Sequence, residues 1–371
     1  MSPSRRNTLG LIGTGLVGAL AGCLEEEQVP GTGNEETGSI ADSESIPFKF
    51  APTRPRWNRN TDTLGKVVVI DSEDRLDAVL LQYEVSFADS EDVSEFLEEV
   101  DFDTERIVLV ESSGPNLCYD TVEISDVALE DDMITADAVV LDTSDEDEGC
   151  AEAVSYPSSL LRVTFEEEPV DTAAIDLTDG WENTSTVTGS VDDPLSPDPE
   201  ELEGYIAPEE NPTAIEPLEC DNEDFERLSQ AFDEESVYLG DYGSDDGIQW
   251  SLRADEREYG YGDKLSIRLT NVTDTILTTG NSGKFNLQVY TEDGWEEVRG
   301  SEDGFYPITD EAILHPPDGG FNWNFEFTEE GLAVPEGHDM YVCPDLQPGR
   351  YRFAFYGVSA EALTVEFDLV D

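Results

Sequence analysis

Between residues 48 and 182 the apolar positions change period more than once. Lys66-Val67-Val68-Val69-Ile70 is a continuous β-branched run and reads as a strand. Asp71-Ser72-Glu73-Asp74 then offers a helix cap, and Leu76, Val79 and Leu80 follow at helical spacing. Asp89-Ser90-Glu91-Asp92 opens a second helix through Val93, Phe96, Leu97 and Val100. Strands are expected at Arg106 to Val110, Thr121 to Leu129, Ile134 to Leu141, Leu160 to Phe165 and Ala174 to Leu177. Glu130-Asp131-Asp132 joins the second and third of these as a hairpin. Two early helices before a run of antiparallel strands predict an α+β domain, two helices with antiparallel sheet, over residues 48–182.

From Cys220 to Asp371 the period is almost everywhere two. Glu223 to Phe232 fits a short helix. After it, Ile248 to Leu252, Leu265 to Leu269, Phe285 to Val289, Phe321 to Phe327, Tyr351 to Phe355 and Leu363 to Phe367 all alternate. Glu292-Asp293-Gly294-Trp295 is a hairpin signal. Roughly eight short strands with turns between them predict an all-β antiparallel sandwich.

Two stretches lack such patterning. Residues 23–47 are acidic, with no aromatic residue until Phe48, and read as a flexible tether. Residues 183–219 hold Pro194, Pro197, Pro199, Pro208, Pro212 and Pro217 among acids and small polar residues, and read as an extended, semi-rigid linker.

The first 22 residues read as a leader. Arg5-Arg6 precedes an uncharged stretch, Gly10 to Leu20, and the pair points to twin-arginine export. Leu9 to Leu20 would span only about 18 Å as a helix, against about 30 Å of hydrocarbon. Leu20-Ala21-Gly22-Cys23 resembles a lipobox, which implies cleavage before Cys23 and a lipid on its thiol. The alternative is a leader cut and discarded without lipidation. Gly13-Thr14-Gly15-Leu16-Val17-Gly18 fits a dinucleotide fingerprint, but no strand precedes it, so it is rejected.

Charge sharpens this picture. The chain carries 87 Asp+Glu against 19 Lys+Arg, a net −68, and loss of Arg5 and Arg6 with the leader makes it −70. Such a charge opposes compaction at low salt, and about 1 M salt shortens screening to about 3 Å. Acid-rich, lysine-poor exported chains resemble those of extreme halophiles. The same charge argues against nucleic acid as a partner. One basic island, Lys49, Arg54, Arg56, Arg59 and Lys66, suits anionic lipid headgroups or the chain's own carboxylates.

With Cys23 assigned to the anchor, Cys118, Cys150, Cys220 and Cys343 remain, an even number in an exported chain. Of three pairings, Cys118–Cys150 and Cys220–Cys343 each stay within one expected domain and are preferred; free buried thiols are the alternative. Asn183-Thr184-Ser185 and Asn271-Val272-Thr273 are glycosylation sequons at Asn183 and Asn271.

Val100-Asp101-Phe102-Asp103 and Arg106-Ile107-Val108-Leu109-Val110, after a strand and helix, resemble the C-terminal domain of the PrcB-like, protease-complex stabilising family. The family's glycine-rich turn is replaced here by Ser112-Ser113-Gly114-Pro115 with Cys118 nearby. That resemblance implies protein interaction rather than catalysis. Gly262 to Asn271, Asp293 to Val298 and Leu346-Gln347-Pro348-Gly349-Arg350-Tyr351 resemble bacterial immunoglobulin-like domains of surface lipoproteins, with Tyr351 as a tyrosine-corner residue. The resemblance implies an immunoglobulin-like fold for residues 220–371; Cys343, just before Leu346, is not part of the general pattern and implies a staple to Cys220 rather than a site.

Recognisable catalytic chemistry is sparse. There is no H-E-x-x-H, P-loop or nucleophile elbow, and His315 and His338 are the only histidines. Neither zinc nor another cofactor is expected. Asp142 to Gly149 is acidic, but EF-hand register puts Ser144 at position 1 and Ser155 at position 12. Trp295, Phe321 and Trp323 suit either a ligand platform or a sandwich core. The reading is therefore a non-catalytic binding or structural module, lipid-anchored on the outer face of the membrane, with a protein or cell-envelope partner. A carboxylate-dependent hydrolase and a transporter's solute-binding component are the alternatives.

Overall fold

The computed structural model describes residues 39–48, 63–82, 91–98, 100–144, 149–244, 247–302, 311–333, 340–358 and 361–370. Arg5, Arg6, Cys23, His338 and the basic island apart from Lys66 lie outside them. Residues 38–371 form one compact unit. No helix among the described residues is long and apolar enough to cross a membrane.

The first sheet has the order β1 (Ile40–Phe48), β6 (Ser158–Phe165), β3 (Glu105–Ser112), β2 (Gly65–Ile70), all antiparallel. Its β2 and β3 are apolar without alternation because both faces are covered. Val67, Val69, Val108 and Val110 point to one core. Val68, Ile70, Ile107 and Leu109 point to another, under α1 (Glu73–Gln82) and α2 (Glu91–Leu97). The second sheet runs β4 (Tyr119–Glu130), β5 (Met133–Asp142), β7 (Thr172–Thr178), β8 (Thr184–Ser190). Its β5 and β7 are parallel, because the chain crosses to the first sheet as β6 between them.

These sheets overturn the expected α+β first domain. Strands β4, β5 and β7 each bury one face, as Ile134, Ala136, Ala138 and Val140 do against Val163 and Phe165. That face needs a second sheet rather than helices. Among the described residues, what forms is two four-stranded sheets face to face, with helices of ten and seven residues only on the outside of one. The described chain is mostly β, with α3 (Glu329–Leu332) a single turn.

Two segments assigned to tether and linker are strands. Ile40–Phe48 lies antiparallel on β6, and Ile40 and Ile46 each pack against a core. Thr184–Ser190 is the edge strand on β7. Gly189 crosses so near β2 that a Cβ there would meet the Val67 carbonyl oxygen at 2.5 Å.

In the second half, one sheet contains β11 (Asp241–Ser244), β12 (Gly247–Ala254), β14 (Lys264–Asn271) and β20 (Asn322–Glu326). Facing it are β10 (Val237–Leu239), β23 (Ala362–Val370), β22 (Gly349–Phe355), β16 (Phe285–Thr291) and β17 (Gly294–Glu297), with β13 (Glu258–Gly260) also on β23. Leu265, Ile267 and Leu269 from one side meet Tyr351, Phe353, Phe355 and Phe367 from the other. Tyr351 makes the expected corner bond, its hydroxyl donating to Gln347 O at 2.9 Å.

The helix expected at residues 223–232 does not form. Phe225 packs against Tyr341 with the rings tilted, and Arg227 donates to the carbonyls of Leu218, Glu297 and Cys343. The segment contributes only the short strand β9 (Glu226–Arg227), paired with β18 (Arg299–Ser301). Tertiary hydrogen bonds to an extended chain outweigh helix propensity here.

Candidate functional site

Two places on the first half combine unusual exposure or charge with a fixed scaffold. One is the loop end beyond β3, β6 and β7. Cys118 and Cys150 are disulfide-bonded there, Cα to Cα 5.6 Å. The loops at residues 113–119, 150–157 and 179–183 are tied by backbone bonds: Gly180 N to Ser113 O at 2.9 Å, Gly114 N to Ser155 O at 3.0 Å, and Leu117 N to Ala151 O at 3.2 Å. Each loop carries one large apolar side chain in solvent, Leu117 at 48%, Val154 at 46% and Trp181 at 47% exposure. Asp179 sets the last turn, its buried carboxylate accepting from Trp181 N and Asn183 N, both at 2.9 Å. Apolar residues exposed on rigid loops mark interaction surfaces more often than scattered ones do.

The other place is a cavity of about 270 Å³ beside β2 and β8. Lys66 and Arg75 both line it, with Val187, Pro194 and Leu195 as apolar wall. Arg75 sits in the first turn of α1 and is anchored through Nε to Val69 O at 2.9 Å and through Nη2 to Asp193 O at 2.9 Å. Lys66 faces Glu111 in register across β2 and β3. Burial pushes the Lys66 ammonium below its ordinary range, Glu111 and Asp193 pull the other way, and Arg75 adds to the lowering. Asp193 is committed elsewhere, accepting from Ser190 N at 2.7 Å.

The remaining sequence candidates have structural surroundings. Cys220 and Cys343 are disulfide-bonded, Cα to Cα 5.5 Å. Asn271 is fully buried, and its Nδ2 donates to Thr275 O at 2.7 Å and His315 O at 3.1 Å. That nitrogen would carry a glycan, so the Asn271 sequon is corrected to a core residue. Asn183 is exposed, with Nδ2 donating to Asp179 at 3.0 Å. His315 is also core: its Nε2 lies 2.8 Å from Thr279 Oγ1, and burial lowers its pKa to about 4.

The three aromatics do not converge. Phe321 and Trp323, ring centroids 5.5 Å apart, pack in the core with Phe355. Trp295 lies on β17 beside Tyr290 and under Arg352. Asp142 accepts from Ser144 N and Oγ, and residues 145–148 of the acidic loop lie outside the described ones. Asp142 also approaches Cys118 and Cys150, but those sulfurs are bonded to each other and offer no thiolates to a metal.

Sequence reasoning missed Arg75 and the aspect of Lys66. A cation on a β-branched run looks like a strand end, and only the fold places it beside a second cation.

No protein-family model matches this chain, and no curated protein matches it. Among solved structures, a β-glucosidase from Listeria innocua in complex with glucose is similar at 15% identity and a TM-score of 0.19, over 36% of this chain and 17% of that one. A β-glucosidase from Listeria innocua in complex with gluconolactone is similar at 14% identity and a TM-score of 0.20, over 42% of this chain and 22% of that one. This chain thus spans about a fifth of the solved chains it is similar to.

Proposed function

We propose that this chain is a non-catalytic binding module held on the outer face of a halophile's membrane by a lipid on Cys23, recognising a protein partner of the cell envelope. The observation that supports it is the disulfide-clamped loop end. Three exposed apolar side chains there sit on hydrogen-bonded loops, a preorganised contact that loses little entropy on binding. Glu152 and Glu182 are exposed on the same loops, so a partner surface with an apolar centre and a basic rim is complementary. The immunoglobulin-like reading of the second half is supported by the Tyr351 corner bond and by two facing sheets, and gives that half the part of a spacer.

Affinity capture from native membranes at molar salt tests the reading. A stoichiometric partner retained by the wild type and lost with Trp181→Ser is expected. Equal capture by both would move the binding surface elsewhere. Cys23→Ser should release the protein into the medium or leave it unprocessed. A mature N-terminus elsewhere, without lipid, would remove the anchor from the reading.

A further inference from the structure

We propose that the cavity between β2, β8 and the start of α1 binds a small organic carboxylate, with Lys66 and Arg75 holding its charged end. Cations are scarce in this chain, 19 Lys+Arg against 87 Asp+Glu, and each is expected beside a carboxylate. Many are: Arg106 pairs with Asp171, Arg253 with Asp241, Arg299 with Glu297, and Arg350 with Glu366 and Asp368. Lys66 and Arg75 form no ion pair with any described residue, yet they line the same cavity.

Two cations side by side repel, and in a partly closed site that cost is larger than in open water. A bound anion would remove it. Arg75 is preorganised for such a ligand. Carbonyls of Val69 and Asp193 fix its Nε and Nη2, and its Nη1 has no hydrogen-bond partner among the described residues. Lys66, lining the same cavity, adds a flexible donor.

Ligand charge and size follow from the surroundings. Glu111 faces Lys66 in register, and Asp193 lies at the cavity, so two acids already offset the two cations. A ligand with one negative charge adds the smallest excess to this field; a dianion adds twice as much. The wall of Val187, Pro194 and Leu195 suits a short aliphatic body. At about 270 Å³ the cavity is below the roughly 300–1,000 Å³ of sites for larger ligands. The carboxylate would accept charge-assisted hydrogen bonds from both cations. Lys66, held down by burial, would then be pushed back up. This site is separate from the loop end and stands independently of the partner proposed above.

Calorimetric titration of the mature chain at molar salt tests it with three probes of one chain length: hexanoate, hexan-1-ol and hexyl phosphate. Saturable binding of hexanoate is expected, weakened about tenfold or more by Lys66→Met. Thr188→Phe, an exposed strand residue lining the cavity, should abolish it while leaving the unfolding midpoint unchanged. Absence of hexanoate binding, or unchanged affinity in Lys66→Met, overturns the proposal. Hexan-1-ol binding as tightly as hexanoate would make the cavity merely apolar. Tighter binding of hexyl phosphate would overturn the carboxylate assignment.

Discussion

Glu297 and Arg299 form an ion pair at 2% exposure each, with Arg299 Nε 2.8 Å from Glu297 Oε1. The other carboxylate oxygen accepts from Asn286 Nδ2 at 2.7 Å and Leu287 N at 2.9 Å, and the guanidinium lies over the Phe285 ring. Removing one partner leaves a buried charge uncompensated. Glu297→Ala should cost about 3–5 kcal/mol in denaturant unfolding at fixed molar salt. Replacing both residues by leucine should cost less than either single change. Additive losses would show that the two side chains act independently.

Residues 191–217 are bonded to the second half along their length. Leu195 N and Ser196 N donate to Asp274 Oδ1, Tyr205 bridges to Ala254, Arg350 donates to Glu210 O, and Ile215 bridges to Thr291. Proteolysis there should be slow at molar salt, despite six prolines and many acids. Rapid cleavage into two folded fragments would contradict these contacts. Loop-closure entropy assigns about 4 kcal/mol to Cys118–Cys150 and about 5 kcal/mol to Cys220–Cys343. Reduction should therefore lower the melting temperature, and four titratable thiols in unfolded, unreduced protein would contradict both bonds.

His315 makes stability depend on pH. Its folded pKa, about 4, lies below the ordinary value near 6.5, so the unfolded chain takes the proton first as pH falls. The neutral ring's contribution is complete above about pH 6.5 and is lost progressively down to about pH 4, by about 3 kcal/mol. Carboxylates titrate near the lower end of that window, so the comparison must be differential. Unfolding of wild type and His315→Gln across this range should differ in slope by about one proton. Parallel curves would mean that His315 is protonated in the fold.

Screening matters most for the unpaired surface acids. Between about 1 M and 0.1 M salt the screening distance grows from about 3 Å to about 10 Å. Repulsion across a chain of net −68 should then lower the melting temperature and expand the molecule. A melting temperature equal at both concentrations would separate the acidic surface from salt dependence.

Where apolar residues set the pattern, the elements were legible. The runs at residues 66–70 and 106–110 form β2 and β3, and Glu130-Asp131-Asp132 turns β4 into β5 with Asp131 and Asp132 at positive φ. Ile40–Phe48 and Thr184–Ser190 were illegible because only a few of their side chains reach a core, and pairing rather than side-chain burial makes them strands. The second sheet was missed for a related reason. Alternation shows that one face is buried, not whether helix or sheet covers it. Buried cations were hidden too: Arg299, Arg350 and Arg352 look like surface residues until cross-strand neighbours and covering segments are known. In the candidate sites, Cys118 stood out by residue type, whereas Arg75 is ordinary until the turn at residues 190–195 folds beside it.

The free side of β23 is closed piecewise. Val237–Leu239 lies parallel to its first residues, the Ile206 carbonyl accepts from Glu366 N in the middle, and Glu258–Gly260 lies parallel to its last residues. Three pieces distant in sequence take up a ladder that one strand would ordinarily fill. An incoming strand from a neighbouring copy would have to displace all three to gain a continuous run of backbone bonds. At high local concentration, which favours edge-to-edge zipping, this patchwork disfavours joining of copies through that edge.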